Sequence, residues 1–138
     1  MLKLVVLSAL LTVGFAYAER SPMDGKKLAQ AAVQQLKQLE PLVLEGRGLA
    51  DVSTSIYYRT FLNPIVEILN RWPVMGDEEF HTWGDYLYCR DALLALQTMG
   101  MGQSTSALSG ENLKRKVSDY QRIKGKCQTA SRLSPDQI

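Results

Sequence analysis

"YLYCRDALLALQ", residues 86–97, decides the fold class, because its apolar side chains recur at helical spacing and nowhere alternate at period two. Read outward over 76–100, Phe80, Trp83, Leu87 and Leu94 mark one apolar face, and Tyr86, Cys89, Leu93 and Leu96 mark another. A helix that is apolar on two faces belongs at the centre of a molecule. The chain's other cysteine, Cys127, closes a stripe of Leu113, Val117, Tyr120, Ile123 and Cys127 across 110–130. Lys114, Arg115, Lys116, Arg122, Lys124 and Lys126 lie mostly off that stripe.

Two antiparallel helices joined by the Gly/Ser/Thr-rich loop "GMGQSTSALSG" (100–110) would bring these cysteine-bearing faces together. A Cys89–Cys127 disulfide is therefore expected in preference to two separate buried thiols. A zinc site calls for more Cys or His at close spacing, and a thioredoxin-like site for Cys-x-x-Cys; the chain has neither.

Two further helical segments precede this pair. In 21–46, Ser21 can cap a helix with Pro22 at its first position and Asp24 three residues on. Leu28, Ala32, Leu36 and Leu39 form its buried stripe, and Pro41 should kink or end it, with a short continuation to Leu44. In 51–72, Asp51 or Ser53 caps a helix whose expected face is Tyr58, Leu62, Ile65, Leu69 and Trp72. Pro64 should bend it near 60–63. The expected fold is all-α, a single compact bundle of about four helices kinked at Pro41 and Pro64 and stapled by Cys89–Cys127.

The first eighteen residues, "MLKLVVLSALLTVGFAYA", read as a secretory signal: Lys3, an apolar run from Leu4 to Phe15, and a small-x-small site at Ala16–Ala18. The expected organisation is a cleaved signal at 1–18 and one helical domain at 19–138, periplasmic or secreted after cleavage near Ala18–Glu19. No later stretch is apolar for long enough to span a bilayer. No Asn-x-Ser/Thr glycosylation site is present, which makes a bacterial periplasm the simpler destination. The formal net charge of +2 gives no electrostatic case for nucleic acid or for acidic membranes in general.

The most suggestive polar stretch is "GDEEFHTWGDY" (76–86), with the sole histidine, His81, three positions after Glu78 and four before Asp85. On one continuous helix these would share a face, with Asp77, Glu78 and Glu79 favoured in the first turn by the helix dipole. Lys114, Arg115, Lys116 and Arg122 offer the opposite sign. Tyr57 and Tyr88 fall beside the best stripes, where aromatic side chains serve as interface anchors. No catalytic group is assembled by any motif, and no cofactor or metal is implied.

The resulting expectation is an exported protein-binding or inhibitory protein, not an enzyme. Its general plan resembles that of periplasmic immunity proteins, which are often small, helical and disulfide-bonded, and its partner would be a secreted toxin or an envelope enzyme. The candidate contact residues are Asp77, Glu78, Glu79, His81, Asp85, Tyr88, Lys114, Arg115, Lys116 and Arg122. Two alternatives are a small carrier of an apolar ligand and a hydrolase using His81 with nearby carboxylates.

Overall fold

A computed structural model describes residues 21–138, apart from positions 75 and 77 and the side chains at 22, 78 and 79. The segment 1–18, Asp77 and the Glu78 and Glu79 side chains thus lie outside the described residues. The described chain is all-α. Helix α1 spans Pro22–Leu44, α2 Thr54–Tyr57, α3 Asn63–Leu69, α4 Glu78–Thr82, α5 Leu87–Ser104 and α6 Gly110–Ala130. A π-helical turn, Tyr58–Leu62, joins α2 to α3; 3₁₀ turns at Gly84–Tyr86 and Pro135–Gln137 complete the order.

Helix α1 begins as its sequence requires. The Ser21 N–H donates to Asp24 Oδ2 at 2.9 Å and the Ser21 hydroxyl donates to the same oxygen at 3.1 Å. The pair secures the helix start and places a carboxylate at its positive end. Pro41 removes one backbone donor, yet the helix runs through it to Leu44. Leu28, Ala32, Leu36, Leu39 and Val43 are buried along its inner face.

The disruption expected ahead of Pro64 takes the form of the π turn. The Asn63 N–H reaches back five residues to the Tyr58 carbonyl, widening the helix before a residue that has no N–H to give. The wider turn changes the face that is buried. Tyr57, Phe61, Ile65, Ile68 and Trp72 point inward, replacing the Tyr58, Leu62 and Leu69 positions expected from an unbroken period. Tyr58 is half exposed and Tyr57 is core, so Tyr57 is not the surface anchor that its place beside the stripe suggested.

The single helix expected over 76–100 is divided. Gly84 adopts φ +46°, a left-handed conformation that ends α4 and starts the 3₁₀ turn into α5. The break is locked from outside, because a Cβ at Gly84 would overlap Ile138 Cγ2 and the Tyr86 hydroxyl donates to the Leu133 carbonyl at 2.8 Å.

At its other end α5 continues to Ser104, taking up half of the expected loop. Gly100 admits the Phe61 ring at its Cα, and Gln103 is buried. Gln103 Nε2 donates to the Val43 carbonyl at 2.8 Å, and its Oε1 accepts from the Leu49 N–H at 3.0 Å. One amide thereby ties the end of α1 to the turn that follows it.

Helices α5 and α6 form the antiparallel pair that the sequence predicts, joined by the disulfide Cys89–Cys127 with an S–S distance of 2.06 Å and a Cα–Cα distance of 4.5 Å. Cys89, Leu93, Leu96 and Tyr120 are fully buried where α1 packs across the pair. Among the described residues no helix is long and apolar enough to cross a membrane.

Candidate functional site

Helix α6 presents two unlike sides. Toward α1, its stripe carries Tyr120 into the core, and Lys124 follows one turn later. Both converge on Glu40, which sits just before Pro41 in α1. The Tyr120 hydroxyl donates to Glu40 Oε2 at 2.6 Å, and Lys124 Nζ donates to both carboxylate oxygens at 2.7 and 3.0 Å.

Burial alone would raise the Glu40 carboxyl, but the hydrogen bonds from Lys124 and Tyr120, with the Lys124 charge, outweigh it and hold the group below its ordinary value. Burial, and then the bond to Glu40 and its charge, push the Tyr120 phenol the other way. Lys124 Nζ also lies 5.6 Å from the Tyr120 ring centroid. Each group in the cluster has a partner, so its chemistry is used up in joining α1 to α6.

Away from α1, the same helix lines an open depression of about 610 Å³ with the start of α5. Asp85 and Tyr88 form one wall; Arg122, Gly125 and Lys126 form the other, and Leu133 closes the end. Lys126 Nζ sits 4.8 Å from the Tyr88 ring centroid, near enough for a cation–π contact. Among the described residues Arg122 has one ion pair, a solvated contact with Asp119 at 3.9 Å. A second, smaller depression of about 210 Å³ continues along the α5–α6 seam, with Lys116, Asp119 and Arg122 on its α6 side. Arg122 stands in both.

The sequence candidates separate accordingly. Asp85, Tyr88 and Arg122, spread over thirty-eight positions of the chain, meet in one groove, and Lys116 lies further along it. Lys114 instead pairs with Glu111 at 2.9 Å, and Arg115 donates to Asn112 Oδ1 at 2.8 Å; both are spent on the exposed first turns of α6. His81 is exposed on α4, its ring centroid 6.0 Å from that of Phe80. The break at Gly84 removes the continuous helix that would have put Glu78, His81 and Asp85 in one register. Among the described residues, no three His, Cys, Asp or Glu side chains gather where they would hold a metal ion.

Three participants were not legible beforehand. Glu40 has no local partner, since Tyr120 and Lys124 lie eighty and eighty-four residues away. Lys126 was one of several lysines off the α6 stripe, and nothing marked it as lying over an aromatic ring. Gly125 gave no signal at all. A third depression, of about 560 Å³, opens where α1 and α5 end and α6 begins, its lining divided between aliphatic residues such as Leu44, Leu108 and Leu113 and polar ones such as Arg47, Gln103 and Ser106. No protein-family model matches the chain, and comparisons with curated proteins and with solved structures return no match.

Proposed function

We propose that this is an exported protein-binding protein, of the kind that protects a cell by binding and inhibiting an envelope-acting toxin or enzyme. The observation that carries the reading is the α5–α6 groove. Asp85, Tyr88 and Arg122 come together there with Lys126 on a helix pair held by a covalent bond. A disulfide-tied scaffold loses little conformational freedom on association, so groups mounted on it serve recognition well. Disulfides persist in oxidising compartments, and the leader-like residues 1–18 accord with that destination. The aromatic and arginine content of the groove matches the side chains that dominate binding energy at protein interfaces.

The test is reconstitution. The protein lacking residues 1–18, immobilised and exposed to periplasmic extract, is expected to retain one enzyme in roughly one-to-one stoichiometry and to abolish its activity when titrated against it. An extract that yields no stoichiometric partner, from cells that normally express the protein, removes the reading.

A second reading, carriage of a small apolar molecule, draws on the aliphatic part of the depression beside Leu108 and Leu113. Native mass spectrometry of protein purified without detergent tests it: a bound lipid supports carriage, and a bare mass opposes it.

A further inference from the structure

The outer side of α6 carries a glycine that the chain itself does not explain. Gly125 lies inside a twenty-one-residue helix and does not have the positive φ that favours glycine elsewhere in the chain. Among the described residues, nothing lies within 4 Å of where a Cβ would stand. Gly100 on α5 is the internal control, since a Cβ there would strike the Phe61 ring and Leu49. Glycine inside a helix is disfavoured relative to alanine, so Gly125 costs the helix stability and leaves an opening on its surface.

What surrounds Gly125 defines the chemistry of that opening. Arg122 stands one helical turn before it and Lys126 directly after it, and both are solvent-exposed. No carboxylate among the described residues lies within ion-pairing distance of Lys126, and the Arg122–Asp119 contact is long and exposed. The half-buried Tyr88 ring forms the opposite wall beneath the Lys126 ammonium. The Gly125 carbonyl already accepts from Thr129 Oγ1 at 3.1 Å, so the opening is a place for a side chain rather than for a strand-like backbone pairing.

We infer that this opening seats an acidic segment of a partner protein. One carboxylate lies between Arg122 and Lys126, and a neighbouring apolar side chain rests on the bare Gly125 backbone against Tyr88. The inference rests on the protein-binding reading above and specifies the surface and its partner's chemistry. Nucleic acid fits less well: it needs many phosphate contacts along its backbone, whereas this depression offers two cations, Arg122 and Lys126.

The first arm of the test needs no knowledge of the partner. Titrating isotope-labelled protein lacking residues 1–18 with N-acetylated, C-amidated hexaglutamate should give saturable amide shifts concentrated at Tyr88, Arg122, Gly125 and Lys126. Those shifts should fall at least tenfold in apparent affinity in R122E/K126E and in Gly125→Leu, each keeping the wild-type helical circular dichroism. Shifts distributed equally over exposed lysines such as Lys27, Lys37 and Lys114 overturn the inference. So do equal shifts at the groove with hexathymidylate.

The second arm uses whatever enzyme the reconstitution yields. Loss of its capture by R122E/K126E and Gly125→Leu sustains the groove. Undiminished capture by both variants overturns the groove while leaving the protein-binding reading intact. A groove that binds hexaglutamate in a protein for which no partner is found has the converse meaning.

Discussion

The two sides of α6 differ in how their charges are used. On the α1 side, Glu40, Tyr120 and Lys124 satisfy one another within 3.0 Å at a half-buried seam. On the far side, Arg122 and Lys126 stand beside a glycine whose missing side chain is replaced by none of the described residues. The first arrangement contributes to folding by joining α1 to α6. The second contributes little to folding, because an exposed ion pair and an exposed cation–π contact are each worth about 1 kcal/mol or less. Charged groups that a fold does not need are the ones available for recognition. The contrast yields measurable consequences of graded size.

The largest concerns the covalent bond that holds both sides in place. Replacing Cys89 and Cys127 with alanine frees a loop closed across thirty-eight residues and should cost about 4 kcal/mol of stability, on the chain-entropy account. Urea unfolding of the variant, compared with wild type with and without reductant, checks it. A variant as stable as the oxidised protein would mean that packing of α5 on α6 suffices without the bond.

Next comes the inner side. Glu40→Ala strands the Tyr120 hydroxyl and the Lys124 ammonium in a half-buried seam and should lose about 1.5–3 kcal/mol, the range for hydrogen bonds to charged groups. Arg122→Glu on the outer side should stay within about 0.5 kcal/mol of wild type. Equal losses in the two variants would erase the distinction between the sides.

The inner cluster also sets a pH window. Glu40 is held below its ordinary 4.5, so the folded state binds fewer protons there than the unfolded chain. Its contribution is whole above the ordinary carboxylate range and is lost as pH falls through the lowered value. Tyr120 is raised above its ordinary 10.0, so its contribution is whole below that pH and declines as pH climbs past it. Stability measured by urea unfolding should therefore fall at both extremes. The acid limb should flatten in Glu40→Gln, and the alkaline limb in Tyr120→Phe; limbs identical to wild type would show that other groups set them.

Much of this architecture is legible from residue order, and the parts that are not share a cause. Helix α6 follows the 110–130 reading because its apolar stripe, its Gly110 start and its charged flank all agree. Ser21, Pro22 and Asp24 announce α1 through local chemistry alone, and the cysteine pair follows from two local stripes facing each other. Failures come where distant residues decide. A buried glutamine looks like loop material until Val43 and Leu49 are found around it. Gly84 looks tolerable inside a helix until Ile138 is seen to press on it. Tyr57 and Phe61 exchange places with Tyr58 and Leu62 because one π turn, set by Pro64, resets the period. In the groove, Asp85, Tyr88 and Arg122 were legible as types of side chain, but their meeting depends on the antiparallel packing of α5 on α6.

The smallest effect is the sharpest for the comparison, because its sign separates two explanations of Gly125. If the glycine serves the fold, alanine there should destabilise, as it should at Gly100, where the added methyl would meet Phe61 in a filled core and cost about 1–3 kcal/mol. If the glycine serves a visitor, Gly125→Ala should instead raise stability by about 0.5–1 kcal/mol, because alanine restricts the unfolded chain and suits the helix better. The same methyl would stand where a partner's side chain is to rest, so affinity should fall while the midpoint of unfolding rises. The two movements in opposite directions, in one variant, are something a purely structural glycine does not produce. Urea unfolding gives the first sign, and hexaglutamate titration of the same preparation gives the second.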